Sequence, residues 1–119
     1  MTANPPHDIP TAAQLVEAVR EFLERDMMAA TEGRVQFHTR VAVNVLGMVE
    51  RELAAGPAQA AAHADGLSRL GVADEAELAA AIRDGRLDDR MAEVAAFVRR
   101  TVTDKLQVAN PKYLDNPTP

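Results

Sequence analysis

The chain has no cysteine, no tryptophan and only 3% aromatic residues. Without cysteine there can be no disulfide, no thiol nucleophile and no cysteine zinc site. With one tyrosine and three phenylalanines, stacking platforms for bases or sugars are poorly supplied. Thirteen basic residues against eighteen acidic ones leave a net charge of −5. Nucleic-acid binding needs a concentrated basic face, so that class is disfavoured. No apolar run approaches the ~18 residues of a membrane span. The opening MTANPPHDIP has neither a basic n-region nor an apolar h-region, so it does not read as a signal peptide. These features together fit a cytoplasmic protein.

What the chain does have is helix periodicity and alanine. Residues 1–10, with Pro5, Pro6 and Pro10, read as an extended leader. Thr11 with Gln14 forms a capping-box pattern and opens a first helix over about Ala12 to Met28. Gly33 marks the turn into a central helix over about 34–55, RVQFHTRVAVNVLGMVERELAA. Its apolar arc spans about half the circumference, so more than one neighbour must cover it. Gly56-Pro57 is expected to stop it. An alanine-rich third helix, about Ala58 to Leu70, then folds back as an antiparallel partner. Asp74 and Glu77 cap a short helix that ends near Gly85. A last helix runs from Asp88 or Asp89 to about Ala109, with Met91, Val94, Ala95, Val98, Val102 and Leu106 inward. The tail from Lys112 is expected to pack through Tyr113 and Leu114 before fraying over 115–119. The fold class is all-α: a compact bundle of about five helices, one domain over residues 11–114.

No motif names a reaction. The lone Ser68 has no glycine elbow, and no catalytic residue or metal set can be assigned. His38 falls mid-arc on the central helix, either as a core histidine or as a ligand in a buried pocket. Its i+3 and i+4 neighbours are Val41 and Ala42, which denies it a helical metal partner. His63, through the expected hairpin, should pair with Glu50 or Glu52. His7-Asp8 in the leader reads as a local turn. Asp26 could pair with Arg20 or Lys105.

Arg40, Asn44, Gly47 and Arg51 make one ridge at i, i+4, i+7 and i+11. It suits an ion-paired seam to a partner protein, or a cradle for a carboxylate or phosphate. Arg83, in the charged helix end Arg83-Asp84-Gly85-Arg86, is a further candidate for anion contact, although stabilising the helix end accounts for it. A leftover apolar stripe would allow a homo-oligomer. No cofactor is implied.

The segments HDIPTAAQLVEAVREFLERD, GRVQFHTRVAVNVLGMVERELAAG, AAIRDGRLDD and KLQVANPKYL, spanning about His7 to Leu114, together resemble a family of small bacterial proteins classed only as a domain of unknown function. The resemblance implies genomic neighbours of two kinds, aminoglycoside-phosphotransferase-like kinases and acyl-CoA dehydrogenases. It therefore implies an accessory role in acyl-CoA catabolism, with one of those enzymes as protein partner. It transfers no catalytic residue. The expected function is a non-catalytic interaction protein. The alternative is a binder or enzyme for a small anion, acyl-CoA or nucleotide, using a pocket at His38, Asn44 and Arg51.

Overall fold

A computed structural model describes Pro6, His7 and residues 9–115. Asp8, and with it the His7-Asp8 pair, lies outside the described residues. Among these, every regular element is helical: α1 Ala12–Phe22, a π-helical turn Leu23–Met27, α2 Met28–Ala30, α3 Gly33–Arg69, α4 Glu75–Arg83, a 3₁₀ turn Asp88–Arg90, α5 Met91–Ala109 and α6 Pro111–Asp115. The all-α reading holds. No helix among the described residues is long and apolar enough to cross a membrane.

Local chemistry accounts for most ends. The Thr11 hydroxyl accepts from the Gln14 amide at 3.2 Å, and the Gln14 side chain accepts from the Thr11 amide at 2.8 Å, the expected reciprocal box. Asp74 accepts from the Glu77 amide at 2.8 Å, while the Glu77 carboxylate reaches the Ala73 amide at 3.0 Å. Gly71 (φ 76°) and Gly85 (φ 78°) end α3 and α4. Their left-handed backbone lets the next amide reach back five residues, Val72 to the Leu67 carbonyl at 3.1 Å and Arg86 to the Ala81 carbonyl at 3.0 Å.

The largest departure from expectation is at Gly56-Pro57. No hairpin forms there: α3 runs unbroken for 37 residues with Pro57 inside it. A proline in a helix interior forfeits a hydrogen bond and crowds the carbonyl four residues back, at roughly 3 kcal/mol. Here that carbonyl belongs to Leu53, and both Leu53 and Pro57 are exposed, so water can take the missing partner's place. Alanines at 54, 55, 58 and 60–62 supply the helix propensity on either side. A smaller departure is the π turn, where the Met28 amide reaches the Leu23 carbonyl and re-phases the side chains that follow. The tail also differs: Pro111–Asp115 is a short helix, Leu114 is half-buried and Tyr113 stays exposed.

The chain packs as two compact units, residues 1–54 and 55–119, and the boundary falls within α3. In the first, α1 and the front half of α3 form an αα-hairpin. Arg20 on α1 ion-pairs with Glu50 on α3 and with Glu24 one turn on. The hydrogen bond that Arg20 donates to Glu50 is the main reason the guanidinium is held above its usual value. The expected Asp26 pairing with Arg20 is therefore replaced by Glu50 and Glu24. The Gln36 amide donates to the Met28 and Thr31 carbonyls at 3.1 and 3.0 Å and pins the connection.

The second unit holds the buried apolar cluster: Leu67, Leu70, Val72, Leu78, Ala81, Leu87 and Val94, with Phe97 against it. Of the side chains expected to turn inward from α5, Val94 does so, whereas Met91, Val98 and Val102 remain exposed. Among the described residues of the first unit, the buried side chains are Thr11 and Thr39, and no apolar one is buried.

Because α3 is continuous through Pro57, Pro57→Ala is expected to stabilise the protein by about 1–3 kcal/mol, the interior-proline cost less relaxation. Urea unfolding followed by helical ellipticity measures it. A loss of stability would show that the chain needs a break there.

Candidate functional site

The expected ridge lies on α3 in the first unit. Arg40 and Asn44 are exposed; Gly47 and Arg51 are half-buried. A Cβ at Gly47 would meet the Arg51 guanidinium at 3.3 Å, so Arg51 folds back over the glycine instead of projecting outward. From Arg40 to Arg51 is eleven residues, or about 16 Å at ~1.5 Å per residue. The ridge is therefore a line of contacts along a helix and does not converge on one small ion. Arg83 stands exposed in the last turn of α4, in the second unit.

His38 is corrected by its exposure. It is not in a packed core: it stands in solvent with the Phe37 ring edge-on, centroids 5.4 Å apart at 76°. The arc that faces α1 is centred instead on Thr39, which is buried and donates to the Val35 carbonyl at 2.7 Å. The opposite side of the same helix is also apolar and is not packed. Phe37, Val41, Val45 and Met48, at i, i+4, i+8 and i+11, stand 57%, 42%, 50% and 37% exposed. The arc is as wide as its sequence indicates, but only one side of it is covered within the unit.

His63 does not meet Glu50 or Glu52, because the helix does not turn back. It meets Glu75 at the start of α4, Nε2 to carboxylate 3.0 Å, and lies 3.4 Å from the Thr101 hydroxyl through Nδ1. Its ring tilts 30° against Phe97, centroids 5.1 Å apart. Thr101 donates its own hydroxyl to the Phe97 carbonyl at 3.0 Å.

His63, Phe97 and Thr101 line an open cleft of about 380 Å³ between the back half of α3 and α5. Gly66 forms part of its floor beneath Phe97. Arg69 pairs with Asp65 at 3.0 Å. Arg90 grips Glu93 with two bonds, at 2.7 and 3.3 Å, and caps α3 by donating to the Arg69 carbonyl at 2.9 Å. The cleft escaped sequence reading because it needs the back half of α3 to pack against α5, a contact between distant residues that no local pattern records. Its one visible signal was a mid-helix glycine, Gly66, matched by the lone aromatic of α5.

No group of three or more histidine, aspartate or glutamate side chains among the described residues could hold a metal ion. The cleft has the hydrogen-bonding capacity to hold a small polar molecule. Its groups do not form a nucleophile–base–orienter set, since Thr101 is committed to a backbone carbonyl and its contact with His63 is long.

The family model for a domain of unknown function, DUF6285, matches residues 29–113. The chain belongs to this family. The matched span takes in α3 to α5, including the apolar stripe and the cleft, and leaves out the front segment HDIPTAAQLVEAVREFLERD that contributed to the resemblance. No curated protein and no solved structure matches the chain.

Two outcomes test this geometry. A Cβ at Gly66 would lie 2.6 and 2.7 Å from two carbons of the Phe97 ring. Gly66→Ala should therefore cost about 1–3 kcal/mol through overpacking, read by denaturant unfolding, and should shift the His63 ring resonances by displacing Phe97. The second outcome concerns acid. The Arg90 hydrogen bonds hold the Glu93 carboxyl below the usual carboxylate range. A depressed carboxyl contributes stability that is full above its unfolded value and is lost as pH falls through its folded one. Melting temperature should then fall more steeply between about pH 5 and 3 in the parent than in Glu93→Gln. The difference is small because solvent screens the pair. Parallel curves would remove the pair from the stability of α5.

Proposed function

We propose that the DUF6285 chain is a non-catalytic accessory protein that works by docking on other proteins through the exposed side of α3. The observation that carries this is the stripe Phe37, Val41, Val45 and Met48, about half exposed, in a unit without a buried apolar side chain among its described residues. Contiguous exposed apolar surface rimmed by polar groups is the mark of an interaction site. Arg40 and Asn44 border the stripe on one edge and supply the polar rim. By the resemblance drawn from the sequence, the partner is a phosphotransferase-like kinase or an acyl-CoA dehydrogenase, and the setting is acyl-CoA catabolism in a bacterial cytoplasm.

A second reading, a small-anion site, is favoured by one observation. Arg100 lines the cleft beside Thr101 and has no ion pair among the described residues. A carboxylate or phosphate there could engage Arg100 and the Thr101 face. The ligand classes expected from the sequence, acyl-CoA or a nucleotide, would meet Arg100 and His63 here instead of His38, Asn44 and Arg51.

Co-expression with each neighbouring enzyme, followed by affinity capture and light scattering, tests the first reading. A stoichiometric complex is expected. Val45→Glu should abolish it and Arg40→Glu should weaken it about tenfold or less, both variants keeping the parent's helical spectrum. Capture that is indifferent to both substitutions would overturn the assigned surface.

A further inference from the structure

The apolar side of α3 has a symmetry of its own. Val41 and Val45 stand two positions either side of Val43, and Phe37 and Met48 lie six before and five after it. Arg34 and Glu52 lie nine positions before and nine after the same point. Eighteen residues is about five full turns, so Arg34 and Glu52 fall on one line along the helix, roughly 27 Å apart. That line runs within the stripe, between Val41 and Val45. Both residues are exposed, and neither has an ion pair among the described residues.

Arg34 is also poorly placed in its own helix. It stands in the first turn of α3, which contains no acidic residue, and a cation there opposes the helix dipole. An anion supplied from outside would relieve it.

From this symmetry we infer that the stripe is the contact of a two-fold homodimer in which the front halves of two α3 helices pack antiparallel. This rests on the docking reading above for the surface alone and names a second copy of the chain as its occupant, in place of a co-expressed enzyme. A two-fold axis at the height of Val43 sets Val41 of each copy against Val45 of the other. It also sets Arg34 of each copy against Glu52 of the other, two oppositely charged contacts per dimer.

The four stripe side chains leave roughly 350 Å² of side-chain surface in water on each copy, reckoned at ~150–250 Å² per fully exposed aromatic and less per aliphatic. Packed against its own copy, the stripe makes a contact at the small end of interface sizes, so the charged ends carry the orientation. The pairing also provides the missing core. An αα-hairpin of this size with no buried apolar side chain among its described residues is below what a lone unit needs, and a second copy covers the side that α1 leaves open.

Sedimentation equilibrium on the full chain, from nanomolar to high micromolar, reads the outcome. Twice the chain mass is expected, with Val45→Glu monomeric. Arg34→Glu and Glu52→Arg each replace two attractive contacts per dimer with repulsive ones and should raise Kd about tenfold. The double variant Arg34→Glu/Glu52→Arg should return Kd to within about threefold of the parent. Restoration has to come from another chain, because ~27 Å of straight helix separates the two residues within one copy. The charge pair also keeps the test sharp if Val45→Glu fails to fold, since both its positions are exposed.

A monomer over the whole range would overturn the inference, as would a dimer indifferent to the single reversals or unrestored by the double one. The docking reading fails separately. A monomeric chain whose capture of a co-expressed enzyme is lost in Val45→Glu would keep the docking surface and remove the self-pairing. A dimer with the charge-swap signature that captures no enzyme would do the reverse.

Discussion

The continuity of α3 through Pro57 is the constraint that removes the hairpin expected at Gly56-Pro57. A break at Gly56-Pro57 would have folded the alanine-rich segment back and brought His63 towards Glu50. With the helix intact, Glu50 is left to Arg20 within the first unit, and His63 finds Glu75 and Thr101 within the second. Within the second unit Phe97 closes over Gly66. The helix tolerates its proline because the orphaned carbonyl lies on an exposed stretch and because alanine on either side offsets the local cost.

The two units divide their work unevenly. Residues 55–119 bury the apolar cluster around Leu78, Ala81 and Val94, and α3 and α4 are each closed by a glycine in the left-handed region. Residues 12–54 are joined by an ion pair, a capped first turn and side-chain bonds to the connection. Hydrogen bonds and partly exposed ion pairs each contribute on the order of 1 kcal/mol or less, which cannot substitute for a core. The apolar residues needed for one are present, but they face outward. That imbalance is the physical content of the functional proposal: the surface that would stabilise the first unit is the surface offered to a partner.

The cleft at His63 illustrates a different balance. Its charged groups mostly satisfy one another: Arg69 with Asp65, Arg90 with Glu93, His63 with Glu75. Such pairing holds α3, α4 and α5 in register and leaves little uncompensated charge for chemistry. Among the described residues that line it, Arg100 and Asp104 have no ion pair, and the anion-binding alternative attaches to Arg100 and not to the histidine. His38 keeps no role as a buried group, since its helix turns Thr39 inward and sends His38 into solvent beside Phe37.

The sequence by itself determined the helical class, the capping boxes at Thr11 and Asp74, and the glycine stops at Gly71 and Gly85. These depend on neighbours within a turn or two, and short-range stereochemistry fixes them. It also showed that the central helix is apolar over too wide an arc for one neighbour. Only the tertiary structure decided which side of that arc is covered, that Gly56-Pro57 does not end the helix, and which carboxylate each of Arg20 and His63 meets. Those outcomes turn on small differences between a proline's local cost, the helix propensity around it and the packing within each unit. Such differences are settled by residues far apart in the chain, which no local pattern records.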